Sequence, residues 1–228
     1  MNDLAQNLIE ELQCETVFTI PVLGGIPVSE AVVVTWIIMA VLVVIAFILT
    51  RNLKVDHISK RQAVAESIVT GLLNMVQGMV GEKGKAYVPY LTTVMLYIGV
   101  SNIIGLFGFK SPTKDLRVTV ALALMSIILI EAAGIYHKGV KRWLHGFVEP
   151  VAIVTPINIL EVVTKPLSLC MRLFGNVLGA FVIMELLKMI LPVGLPVVFS
   201  LYFYIFDGLL QAYVFVFLTS LYIDEITE

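Results

Sequence analysis

Residues Thr164–Met184 read TKPLSLCMRLFGNVLGAFVIM, and one arginine, Arg172, stands inside this long apolar run. A cationic side chain at membrane depth costs roughly 2.5–3.5 kcal/mol on insertion scales, so it faces protein or water rather than lipid. At about 100° per residue, a helix here puts Glu161, Lys165, Ser168, Arg172 and Asn176 on one polar stripe. Glu161 precedes Lys165 by one turn, the favourable order for an ion pair. Arg172 has no acidic residue one turn away. Its charge is left for another element or another chain, unless it snorkels to an interface or enters a buried ion pair.

The apolar setting extends through the chain. It has 228 residues, of which 59% are hydrophobic, and a mean hydropathy of +0.96. A soluble domain has about 45–50% apolar residues, so this composition specifies an all-α polytopic membrane protein. The net charge of −2 conceals segregation, because the basic residues collect in connecting segments. Nothing resembles a basic nucleic-acid-binding domain, and no nucleic acid is expected as a partner. Cys14 and Cys170 are too far apart in setting to predict a disulfide, and they lack metal-ligand spacing. His57, His137 and His145 fall in loops or near interfaces, as solvated histidines rather than ligands. No metal and no cofactor are expected.

Taken in order, 1–30 is an acidic lead without the basic start of a signal peptide. It reads as a short amphipathic helix followed by loop. Residues 31–50 form the first span, about the 20 residues that a hydrocarbon core requires. Within 51–86, polar positions (His57, Lys60, Arg61, Gln62, Glu66) mix with Ile58, Val64, Ile68, Leu72 and Met75. This amphipathic pattern is too polar to span. It fits a helix on the cytoplasmic surface and a helix packed in a small globular loop equally well. Residues 87–136 hold two more spans, with Asn102 near the end of one, Glu131 near the end of the other and a loop at Lys110–Arg117 between them. A basic loop, 137–149, leads to a long helical hairpin at 150–223 and an acidic tail at 224–228. The whole is expected to be one membrane domain of about five embedded helices plus the amphipathic one. Lysines and arginines in the short loops, mainly after the first span, put the N-terminus outside and the C-terminus in the cytoplasm.

The hairpin carries the chemistry. Ile157–Leu191 would measure roughly 50 Å as a helix, against a core of about 30 Å, so it breaks near Pro166 or tilts. Gly175 and Gly179 form a small-residue strip for close approach, either to another helix of this chain or to a neighbour. In the last helix Ser200, Tyr204, Asp207 and Gln211 recur at helical spacing as a second polar face. Two polar stripes on an antiparallel pair read as hydrogen-bonded helices or as a hydrated ion path. The ionisable Asp207 and Glu185 favour the path.

KPLSLCMRLFGN, with LLQAYVFVFLTSLYI at Leu209–Ile223 and SNIIGLFGFKSPTKDLRVT at Ser101–Thr119, resembles subunit a of the F-type ATP synthase membrane sector. The three blocks occur in family order. The resemblance implies two tilted helices against a rotating ring of c subunits, with two aqueous half-channels leading to it. The ring, the b-subunit peripheral stalk, the remaining Fo and F1 subunits and the bilayer of a bacterial plasma membrane would be the partners. The transported ion would be H⁺ or Na⁺. Arg172 matches the essential arginine, Asn176 the polar residue one turn beyond it, and Gln211 the glutamine that faces the arginine. Lys165, Ser168 and Asp115 also fall at family positions. Phe181 departs from the family, where many bacterial members have an ionisable residue, and Tyr204 departs where they often have histidine. Glu185 and Asp207, each displaced by a turn, are therefore expected to carry the relay. Glu161 and Asn102 complete the supporting polar set. Lys114 and Arg117 stand where the family tends to be neutral, and Lys188 is placed to pair with Glu185.

The sequence contains no Gly-x-Ser-x-Gly, no His-Glu-x-x-His and no phosphate-binding loop. No catalytic site of its own is expected; nucleotide chemistry would belong to another subunit. An unrelated polytopic channel or secondary transporter would use the same polar stripes. It would often show related halves, and none is visible.

Overall fold

Long runs rich in Leu, Ile, Val and Ala, punctuated by Gly, Pro and Asp, give helices that satisfy their own backbone groups, as a bilayer requires. The computed structural model describes residues 16–20, 26–51, 59–81, 84–146, 155–190 and 194–227. Its helices are α1 (Glu30–Thr50), α2 (Lys60–Val80), α3 (Val88–Ile103), α4 (Leu116–Lys138), α5 (Val140–Gly146), α6 (Thr155–Ile190), α7 (Leu195–Leu201) and α8 (Gly208–Thr227). A π-helical segment, Tyr202–Asp207, joins α7 to α8 without a break. Among the described residues six helices are, by length and composition, long and apolar enough to cross a membrane: Glu30–Thr50, Lys60–Val80, Lys85–Phe107, Leu116–Lys138, Thr155–Met189 and Pro196–Thr227. The all-α polytopic class therefore stands.

Some of the expected details change. Part of the expected N-terminal loop is an antiparallel hairpin of β1 (Thr16–Ile20) and β2 (Ile26–Ser29), with Ile20 opposite Ile26. β-branched residues on both strands suit the pairing. The short helix expected at the start of the chain lies outside the described residues. The basic loop contains α5, held by a hydrogen bond from the Trp143 indole N–H to Glu131 at 2.9 Å. The expected acidic tail is helical as far as Thr227. α6 runs unbroken for 36 residues with Pro166 inside it, so the chain does not break there. By length and composition α2 also qualifies as a span, the least apolar of the six. Its last turns enter the core through Val76 and Val80, while Val64, Ile68, Val69 and Met75 stay exposed.

The core is built from α3 (Leu91, Ile98), α4 (Ala123, Ile130), α6 (Leu169, Leu173) and α8 (Phe215, Val216). α8 packs against both α3 and α4, and α4 also packs against α6. α1 lies at the edge and buries only Ala31, Val34 and Ile38. It is tied to the bundle by polar contacts: Thr35 with the Tyr97 hydroxyl at 3.1 Å, and Glu30 with Lys110 at 3.0 Å. Ser29 donates to Asp115 at 2.9 Å. Asp115 also caps α4 by accepting from the Arg117 amide at 2.9 Å, satisfying one of the free N–H groups of the first turn.

α6 and α8 run antiparallel. Lys165 meets Glu225 at 3.1 Å, while further along α6 Val177 and Ala180 share a cavity with Asp207 and Gln211.

Candidate functional site

The polar stripe of α6 lies on its exposed side. Glu161, Ser168, Arg172 and Asn176 are exposed and Lys165 is half-buried, while Leu169, Cys170 and Leu173 point into the core. Lys165 pairs with Glu161 at 3.8 Å, as the spacing predicts. It also takes Glu225, a partner that local spacing could not reveal. Among the described residues nothing forms a hydrogen bond or ion pair with Arg172. Gly175 and Gly179 share its surroundings, and a methyl group added at either would meet nothing within 4 Å. Close packing within this chain is therefore not what these glycines serve.

The second polar face points elsewhere. Gln211 is buried, and with Tyr204 and Asp207 it lines a cavity of about 20 Å³ that also touches Asn102 and Ser111. A cavity above roughly 10–15 Å³ with polar walls has room for a water molecule. Ser200 does not join this group; its hydroxyl donates to the Val197 carbonyl. The two polar stripes of the hairpin therefore do not face each other: Arg172 faces out while Gln211 faces in. Gln211 shares this cavity with Val177 and Ala180 of α6.

Beside this cavity, whose wall is mainly apolar, runs a connected set of polar contacts. The Asn102 amide donates to the Gly208 carbonyl at 3.0 Å and accepts from Thr113 at 2.7 Å. Ser111 donates to the Ser101 carbonyl at 2.7 Å, and its oxygen lies 2.7 Å from the Thr113 hydroxyl. Gly208 and Gly105 make this approach possible: a methyl on Gly208 would lie 2.8 Å from Asn102 Cβ, and one on Gly105 would enter the Tyr204 ring. The π segment supplies Phe203, Tyr204 and Asp207 to the cavity together. Such i→i+5 segments are rare and concentrate at functional positions.

The remaining predicted positions are accounted for as follows. Glu185 is hydrogen-bonded to Lys188 on α6 and is absent from the cavity wall. Asp115 works as the α4 cap and the Ser29 acceptor. Phe181 lies under Lys114, whose ammonium is 3.2 Å from the ring centroid. At the other end of the bundle a larger cavity, about 610 Å³, is lined by Glu131, Arg142, Glu161, Lys165 and Glu225 among others. Its Glu161 and Lys165 were legible as a stripe. Glu131 and Glu225 come from other helices and carried no signal beyond their charge.

These features define a class: an all-α, multi-spanning membrane protein with a cavity at each end of a helical hairpin and an arginine on its outward face. Residues 32–224 match the family model described as ATP synthase A chain. ATP synthase subunit a of Moorella thermoacetica is 35% identical over 203 residues, covering 88% of this chain and 92% of that protein. ATP synthase subunit a 2 of Acaryochloris marina is 31% identical over 207 residues, covering 90% of this chain and 88% of the relative. The sodium-ion-specific ATP synthase subunit a of Propionigenium modestum is 34% identical over 216 residues, covering 88% of this chain and 74% of that protein. The chain belongs to the ATP synthase subunit a family, the ion-translocating component of the Fo sector. An unrelated channel or transporter is thereby excluded.

Proposed function

We propose that this subunit forms two half-channels that meet at Arg172 against a ring of c subunits. The observation that carries the reading is the exposed Arg172 guanidinium, which has no hydrogen bond or ion pair among the described residues. A permanent cation there needs a counter-charge, and a carboxylate on a passing rotor helix would supply one. Arginine stays protonated at any accessible pH, so it favours the ionised carboxylate and drives off the bound ion. It also repels free cations and so prevents a short circuit between the two paths. Open space at Gly175 and Gly179 beside it fits close approach by that rotor helix.

The outer path runs past Asn102, Tyr204, Asp207 and Gln211, with Asp207 as its relay and Glu185, paired to Lys188, near its mouth. The inner path opens through the large cavity around Glu161, Lys165 and Glu225. The N-terminus lies outside and the C-terminus in the cytoplasm of a bacterial plasma membrane. The b-subunit stalk and the remaining Fo and F1 subunits complete the machine. The subunit has no catalytic site of its own and carries the ion, H⁺ or Na⁺.

The test is ATP-driven ion uptake by vesicles carrying the assembled complex, with and without Na⁺ and with a protonophore. Arg172→Ala is expected to abolish uptake while the complex still assembles. Uptake that survives the substitution would make Arg172 a structural cation and overturn the reading.

A further inference from the structure

Three carboxylates line the large cavity: Glu131 on α4, Glu161 on α6 and Glu225 on α8. Two of them share one cation, Lys165, which lies 3.8 Å from Glu161 and 3.1 Å from Glu225. Glu131 is different. It accepts a hydrogen bond from the Trp143 indole at 2.9 Å, a neutral donor, and among the described residues it forms no ion pair. When ionised, its carboxylate presents a charge that this chain does not match at contact distance, on the wall of a cavity of about 610 Å³.

The fold holds this group in place. Gly139, with φ +77°, turns the chain from α4 into α5 and brings Trp143 back to α4. The indole settles against Gly134, where a methyl group would lie 3.2 Å from Trp143 Cδ1 and 2.8 Å from Ile226 of α8. Other charged and titratable groups also line the cavity: His137 and Lys138 on the last turn of α4, and Arg142 on α5. Among the described residues Lys138 and Arg142 form no ion pair with Glu131 or with another carboxylate. The His137 ring packs edge-on with Tyr87 and Tyr136.

We propose that Glu131 is a further residue of the inner path, a carboxylate that draws the coupling ion from the cytoplasmic side into the large cavity. The inference rests on the half-channel reading above and adds to it a group that lies on neither polar stripe. H⁺ and Na⁺ are both monovalent cations, so the attraction serves either. A fixed charge cannot alter the overall driving force. It raises the local ion concentration and so sets the external concentration at which the inner path half-fills. The neutral indole holds the carboxylate in position without cancelling that charge. In a water-filled cavity, unit charges about 4 Å apart favour occupancy roughly five-fold.

The experiment is ATP-driven ion uptake by inverted membrane vesicles carrying the assembled complex, at a clamped membrane potential. The coupling-ion concentration is varied in the medium, which the inner cavity faces. Each rate is divided by ATP hydrolysis in the detached catalytic sector under the same conditions, so that the membrane step alone is read. Glu131→Gln keeps an acceptor for the indole and removes the charge. It is expected to raise the half-saturating ion concentration about five-fold with little change in maximal rate, while Glu131→Asp keeps the wild-type value. Trp143→Phe removes the donor and leaves the charge, so it should not raise half-saturation. A purely structural contact between Glu131 and Trp143 predicts the reverse, with Glu131→Gln at the wild-type value and Trp143→Phe impaired. Half-saturation unmoved by Glu131→Gln, or raised by Trp143→Phe or equally by Glu131→Asp, overturns the proposal and leaves the half-channels intact. Uptake that survives Arg172→Ala in the same vesicles would instead bring down the half-channel reading and this inference with it.

Discussion

Asn102 shows how much one side chain holds in this protein. Its amide bridges α3 to the Gly208 carbonyl and, through Thr113, to the α3–α4 turn. All of this is buried, where an unmade hydrogen bond costs about 1–3 kcal/mol. Gly208→Ala would put a methyl 2.8 Å from Asn102 Cβ. It is expected to destabilise the subunit by about 1–3 kcal/mol, the usual cost of overpacking. Thermal unfolding of the purified complex in detergent reads this as a lower midpoint. Adding Asn102→Gly, which removes that Cβ, should give a double variant less destabilised than the sum of the two single variants, because the two positions are in contact and their effects do not add. Simple additivity would place the clash elsewhere.

The π segment is the element on which the outer cavity depends. Tyr202–Asp207 inserts an extra residue's worth of turn between α7 and α8, and so directs Tyr204 and Asp207 into the cavity with Gln211. Deleting Phe206 is expected to restore an ordinary α-helix. The wider turn absorbs the one extra residue, so α7 and α8 would keep their phase while the residues between them are re-aimed. Assembly should persist, while ATP-driven uptake falls about ten-fold or more because Tyr204 and Asp207 no longer share the cavity with Gln211. Uptake at the wild-type rate would mean that the bulge does not matter. The sequence offered no sign of this element. YFYIFD contains no Gly, Pro or other breaker, and a wide turn is selected by packing against Gly105 and Asn102, both distant in the chain. Local patterns were readable: the Glu161–Lys165 pair, the Glu185–Lys188 pair and the polar stripe around Arg172 all follow from helical spacing. What spacing cannot report is which way a stripe faces. Arg172 and Gln211 each sit on a predicted polar face, yet one faces out and the other in. The hairpin Thr16–Ile20 with Ile26–Ser29 escaped for a related reason, since short strands are defined by their partners.

Across the whole molecule, the exposed face of α6 is the part that the chain does not complete by itself. Leu160, Val163, Leu167 and Met171 are more than half exposed beside the polar stripe. Gly175→Trp adds bulk where this chain has open space. Its own fold should therefore shift by no more than about 0.5 kcal/mol, as for other surface changes. The c-ring should be lost from complexes purified through the peripheral stalk. Retention of the ring in wild-type amount would place its docking face elsewhere. The contact between Lys165 and Glu225 acquires a mechanical meaning here. It fastens the early part of α6 to the last turn of α8, while further along the two helices share the small cavity. A beam fastened at both ends deflects less under a sideways push than one fastened at a single end. On the proposed function, every step of the rotor delivers such a push, and this pair of side chains keeps the arginine from being carried along with it.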